Sequence, residues 1–222
     1  MLESNSRWYF DSRSRQSPKF SIFVLQKSRS MEKLAFGDCT LEKLDDLFLT
    51  RRVFDNELLQ SWFDVAREMP VSAEDNFFLG VIKKLLKTNA PTWHEQDLAL
   101  HFIGPMFSLV NFTEPYRFNL FAERFISSIV DDIELLGKPD EIIATGFAEP
   151  KVPFFAFQEY KREKDPNGDP AGQCLAAMLV GQTLNKDTQP IYGCYVIGQN
   201  WYFMVLKNRQ YEISTAFSGA TD

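Results

Sequence analysis

The stretch that decides the fold runs Gly137-Lys138-Pro139-Asp140-Glu141-Ile142-Ile143-Ala144-Thr145 and then, past a connection holding Gly146 and Pro153, Phe154-Phe155-Ala156-Phe157-Gln158-Glu159-Tyr160-Lys161. Both halves are β-prone and read as neighbouring strands. The two-residue period of a strand sets Glu159 and Lys161 on one face, with Gln158 and Tyr160 on the other. Asp140 opens the first strand and brings a second carboxylate to the same edge. Two carboxylates and an amine gathered in this way can hold a divalent cation against a phosphodiester. Carboxylate oxygens are the ligands Mg²⁺ prefers, and the bound cation lowers the pKa of a water. A second triplet, Glu149-Pro150-Lys151, repeats the pattern, but its proline removes a ladder donor and it falls in the connection.

Downstream, Asp165-Pro166-Asn167-Gly168-Asp169 is a turn cluster, and Asp169 with Pro170 forms the N-cap and first-turn pair of a helix. That helix carries Leu175, Met178 and Leu179 and ends near Asn185. Closing strands are expected over 191–197, 201–207 and 210–215. The run Trp201-Tyr202-Phe203-Met204-Val205-Leu206 is apolar on both faces, as in a sheet covered on both sides.

Upstream, a helix opens with Thr92-Trp93-His94-Glu95 and continues through Leu98, Phe102, Ile103, Met106 and Phe107, with a kink expected at Pro105. Thr92 and Glu95 have the spacing of a capping box. Strands are expected over 119–130 and 134–145, turning at Asp131-Asp132, and Glu123 lies on the first of them. Residues 40–88 read as helical, with Leu44, Leu47 and Phe48, then Leu58, Leu59, Trp62 and Phe63, then Phe77, Phe78, Val81, Ile82, Leu85 and Leu86 at helical spacing. Asp55 and Ser72 are the expected N-caps.

These elements predict an α/β fold, a three-layer sandwich with a mixed central sheet and an N-terminal helical extension. Residues 1–30 form a basic, serine-rich arm, with Arg7, Arg13, Arg15, Lys19, Lys27 and Arg29 against Glu3 and Asp11. The helical extension spans 31–90 and the core 91–222.

The pattern of Asp140, Glu159 and Lys161 resembles the PD-(D/E)XK nuclease superfamily, whose core carries an aspartate on one strand and a (D/E)xK on the next. The resemblance extends over roughly residues 92–215: a helix with a glutamate, a strand hairpin, a second helix beginning near a glutamine, and closing strands. Gln158-Glu159-Tyr160-Lys161 ahead of a helix opening with Asp169-Pro170 is similar to an uncharacterised bacterial branch. Gln173 would be the glutamine of a QxxxY signature, although position 177 is Ala.

The resemblance implies a restriction-endonuclease-like fold and a Mg²⁺-dependent nuclease, with Mn²⁺ as substitute, acting on nucleic acid, DNA above all. Asp140, Glu159 and Lys161 would be the catalytic residues. Asp140, Glu159, the Tyr160 carbonyl and Glu95 would hold the metal, with Gln173 and Glu123 as accessory candidates. The alternative is a catalytically silent interaction module of the same fold in a larger assembly, and a homodimer or protein partner is open under either reading.

The chain has 222 residues, 45% hydrophobic and 14% aromatic, ample for a packed core. Its net charge of −6 argues against a general nucleic-acid-coating protein. A site that gathers carboxylates for a cation contributes to that charge by design. Three scattered cysteines, Cys39, Cys174 and Cys194, make no disulfide framework and no zinc spacing with His94 and His101. No apolar run is long enough to span a bilayer. The expected location is the cytoplasm, with no membrane partner.

Overall fold

The computed structural model describes residues 31–55, 57–114, 117–163 and 168–221. The basic arm of residues 1–30 lies outside the described residues.

The chain begins with β1 (Glu32–Ala35), a 3₁₀ turn (Phe36–Asp38), α1 (Leu41–Phe48) and β2 (Arg51–Arg52). Then come α2 (Glu57–Arg67), α3 (Ala73–Asn89), a 3₁₀ turn (Ala90–Thr92) and α4 (Glu95–Leu98). Residues Ala99–Ile103 form a π-helical turn that leads into α5 (Gly104–Ser108). Pro105 accounts for this interruption, because it has no N–H to donate four residues back and its ring crowds the carbonyl there. The expected kink thus takes the form of a widened turn just ahead of the proline. Strands β3 (Asn119–Ala122), β4 (Ile126–Val130), β5 (Ile133–Gly137), β6 (Glu141–Thr145) and β7 (Lys151–Lys161) follow. After α6 (Pro170–Asn185), β8 (Ile191–Ile197), β9 (Asn200–Lys207), β10 (Gln210–Ile213) and the short β11 (Phe217–Ser218) complete the chain.

The class is mixed α/β. The main sheet has the order β2-β10-β9-β8-β7-β6-β3, with β11 beside β9, and it is mixed. Strands β6 and β7 are antiparallel, β7 and β8 are parallel across α6, and β8 and β9 are antiparallel. A second sheet of three strands runs β1-β5-β4.

Two spans expected as single strands are each divided. Within 119–130, Glu123 takes a left-handed conformation (φ 50°), and β3 joins the main sheet while β4 joins the second. Within 134–145, Lys138-Pro139-Asp140 interrupts the ladder, so β5 stays in the second sheet and β6 enters the main one. Asp131 and Asp132 both have positive φ and form the tight turn between β4 and β5. Residues 31–90, read as a helical extension, also supply β1, parallel to β5, and β2, parallel to β10.

Helix α6 is apolar all round and buried from Pro170 to Gly181, the expected state of a helix without a polar face. It lies between the main sheet and the second sheet, a layer more than the expected sandwich. Small residues permit that fit: a Cβ on Gly172 would come within 2.6 Å of the Thr40 backbone. Phe157, Leu175, Met178, Leu179, Met204 and Leu206 fill the core on this face, together with Leu34, Leu135 and Phe48. On the opposite face Ile82, Leu86, Leu98, Phe102 and Ile103 pack against Cys194 and Val196.

Ser72 caps α3 as expected, in a capping box with Asp75. Asp169 caps α6 through Gly172 N–H (3.1 Å), and its other oxygen accepts the Leu41 N–H at the start of α1 (2.9 Å). Helix α2 is different. Glu212 of β10 accepts the N–H groups of Leu58 and Leu59, at 3.4 and 2.9 Å, so its cap comes from a strand far along the chain.

Candidate functional site

Strand β6 begins at Glu141, paired with Gln158, so β7 runs on past the last rung of the β6–β7 ladder. Asp140 fills that gap with its side chain. Its Oδ2 accepts the Tyr160 N–H at 2.8 Å. On the other edge of β7 the Lys161 carbonyl accepts from Gly198 N–H at 2.9 Å. Strand carbonyls alternate in direction, so the Tyr160 carbonyl turns back to the edge that holds Asp140.

Glu159 and Lys161 share the α6 face of β7, as their spacing requires. Lys161 Nζ donates to Glu159 Oε1 at 2.5 Å, and the two side chains are only 12% and 8% exposed. Asp140, Glu159 and Lys161 are therefore brought together at one sheet edge. Burial raises the Glu159 carboxyl to about 7, with the Asp140 charge adding to the rise and Lys161 opposing it. Asp140 rises to about 6, again from burial first, against the Tyr160 N–H and Lys161, which favour its ionised form. Burial pulls Lys161 down, but Glu159, Glu95 and Asp140 more than offset this and its net shift is upward. The amine is thus held as an ammonium.

Glu95 belongs to this field, since its charge acts on Asp140, Glu159 and Lys161 alike. The capping box expected of it does not form. His94 is the N-cap of α4 and donates its N–H to Asp97 Oδ2 (3.1 Å), while the Thr92 hydroxyl donates to the Asn89 carbonyl (2.8 Å). Freed from capping, Glu95 lines an open cleft of about 530 Å³ with His94, Gln96, Asp97 and Arg162.

Glu123 is exposed, its N–H donates to the Asp140 carbonyl at 2.9 Å, and its charge reaches Asp140 and Tyr160. Gln173 is 8% exposed in the first turn of α6, its Nε2 close against Gly168, so it is a buried residue and not a solvated one.

Sequence reasoning passed over Glu141. It is 9% exposed, its Oε2 has no hydrogen-bond partner, and burial, then the Asp140 charge, raises it to about 8. It stands directly opposite Gln158, whose Oε1 is likewise buried without a partner. The only signal in the sequence was an acid at the head of the apolar run Ile142-Ile143.

The donor set suits Mg²⁺, which takes hard oxygen ligands and keeps several waters. Among the described residues no three His, Cys, Asp or Glu side chains stand close enough together to hold a metal. Two carboxylates and the Tyr160 carbonyl would therefore be the protein's share, with water completing the shell. Compared with family models and with curated proteins, the chain matches none.

Proposed function

We propose that this protein is a Mg²⁺-dependent nuclease of the PD-(D/E)XK kind, hydrolysing phosphodiester bonds in DNA. The observation that carries the reading is the meeting of Asp140, Glu159 and Lys161 where the β6–β7 ladder ends, with the half-buried Asp140 and the buried Glu159 both raised in pKa. Such shifts cluster at functional sites. The chain order adds support: a helix bearing Glu95, the β6–β7 hairpin, the crossover helix α6 with Gln173 in its first turn, then closing strands. This is the order expected of a restriction-endonuclease-like core.

A bound divalent cation would neutralise phosphate charge and lower the pKa of the attacking water. Asp140 and Glu159 would hold that cation, with Mn²⁺ as substitute, and the Tyr160 carbonyl would contribute from the open edge. Lys161 stays charged, so its part is to orient the water or a phosphate oxygen and stabilise charge in the transition state, rather than to remove a proton. Glu95, facing the cleft, is the candidate for an additional metal contact through water.

No helix among the described residues is long and apolar enough to cross a membrane. The three cysteines are free and buried, which suits a reducing, cytoplasmic location.

The test is cleavage of labelled single- and double-stranded DNA by purified protein in Mg²⁺, Mn²⁺ and EDTA. Asp140→Asn and Glu159→Gln should lose about a hundredfold or more of the metal-dependent rate. Equal trace activity in wild type and both variants would defeat the enzyme reading. The interaction-module reading would then stand, favoured by the closed Glu159–Lys161 pair.

A further inference from the structure

Helix α3 is apolar on two sides. Ile82 and Leu86 point into the core, yet Phe77, Phe78, Val81 and Leu85 are 76, 38, 44 and 45% exposed. These four recur three and four residues apart, and so form a second apolar stripe along the outer face. Scattered exposed apolar residues are ordinary, but a contiguous row on one helix marks a contact surface.

We propose that this face pairs with the same face of a second copy of the chain, the two α3 helices lying antiparallel about a twofold axis at Val81. The charges of the helix select this partner and this direction. On this outer face Glu74 is in the first turn, whereas Lys84 flanks the stripe in the C-terminal half. A parallel pair would set like charges together, and an antiparallel pair sets the acidic end of each copy against the basic end of the other.

With the axis at Val81, Phe77 of one copy lies level with Leu85 of the second, Val81 meets its counterpart, and Glu74 falls one turn from Lys84 of the second copy. Every contact is then reciprocal, as a twofold interface demands. Asp75 is engaged in the capping box, so Glu74 is the acid of that turn left to pair across the axis. A Cβ on Gly80 would meet nothing within 4 Å, so the flank of the stripe is open to close approach. The macrodipoles of the two helices also oppose each other favourably. A helix of 17 residues is about 25 Å long, and one helix per copy buries less than the roughly 1,600 Å² of a standard interface, so the dimer is weak.

The test is sedimentation velocity on the full chain from about 1 μM to about 1 mM, the span of weak association. A concentration-dependent monomer–dimer equilibrium is expected. Val81→Asp should leave only monomer while keeping the wild-type circular dichroism and melt. Phe77→Ser gives the same readout at a second position should that variant misfold. Glu74→Lys and Lys84→Glu should each weaken the dimer about threefold to tenfold, and the double exchange should restore it, because the pair is rebuilt with reversed sign. A monomer at every concentration, or a dimer indifferent to Val81→Asp, overturns the proposal. A double exchange no better than the single ones overturns the antiparallel register.

Discussion

Asp140 accepts the Tyr160 N–H at 2.8 Å, a side chain standing where the next rung of the β6–β7 ladder would be. The bond fixes one carboxylate oxygen and leaves the other for the site, so Asp140 is both a structural cap and a ligand candidate. Asparagine keeps an acceptor at this position and alanine does not. Asp140→Asn should therefore unfold in urea close to wild type, whereas Asp140→Ala should lose about 1–3 kcal/mol, the cost of an orphaned N–H. Both should lose metal-dependent cleavage. Equal stability of the two variants would show that the bond contributes nothing.

Asp140, Glu159 and Glu141, together with the buried Glu212, whose carboxyl is also raised by burial, make stability depend on pH. Asp140, Glu159 and Glu141 are raised to about 6, 7 and 8, all above the ordinary carboxylate range. A raised carboxyl binds its proton more tightly in the folded state, so stability is full below the unfolded pKa and falls as pH rises through the folded one. The melting temperature should thus climb as pH is lowered from 8.5 to about 5.5. Glu141→Gln, neutral at every pH, should flatten the upper part of that slope without loss at pH 7. Saturating Mn²⁺ should act the other way and stabilise most at high pH, by about 2.7 kcal/mol at a hundredfold excess over its dissociation constant.

Glu212 ties β10 to the start of α2, and a variant reports its worth. Its two oxygens accept from Leu58 and Leu59 N–H, and it is 1% exposed. Glu212→Ala should cost about 1–3 kcal/mol in chemical denaturation, the range for a buried cap that leaves two donors unpaired. Glu212→Gln keeps one acceptor and should lose less. No change in either variant would mean that water replaces the cap.

That cap shows where sequence reading stops. Asp55 has the right type and place for an N-cap, but the acceptor came from a residue more than 150 positions away, and no local pattern announces it. The same limit hid the breaks at Glu123 and at Lys138-Pro139-Asp140. A β-prone run is legible as strand, whereas its transfer from one sheet to another depends on what packs on α6. Parallel pairing of β1 with β5 likewise leaves no mark in the residues 32–35 themselves. By contrast, Glu159 and Lys161 are two apart on one strand and Asp140 opens the adjacent hairpin strand, so strand period and turn chemistry alone place them together. Of the two roles open to Glu95, the capping box fails because His94 takes the N-cap with Asp97 while Thr92 bonds back to Asn89, and only the backbone decides between them.

Lys161 separates a working site from a static ion pair. Lys161→Met keeps the bulk of the stem and removes the charge, leaving Glu159 buried beside Asp140 without its cation. Breaking a buried pair in this way costs about 3–5 kcal/mol while the remaining group stays ionised. Glu159 titrates at about 7 even with Lys161 in place, and losing the lysine moves it further up. The penalty should therefore be large at pH 8.5, shrink as Glu159 takes up a proton, and nearly vanish by about pH 5.5. Adding Glu159→Gln should make that penalty independent of pH and recover most of the stability at high pH, leaving the slope due to Asp140, Glu141 and Glu212. Cleavage separates the two roles further. In the working site the double variant is stable but inactive, and its Mn²⁺-induced rise in melting temperature is lost. If the pair is only structural, the double variant melts, binds Mn²⁺ and behaves toward DNA as wild type does.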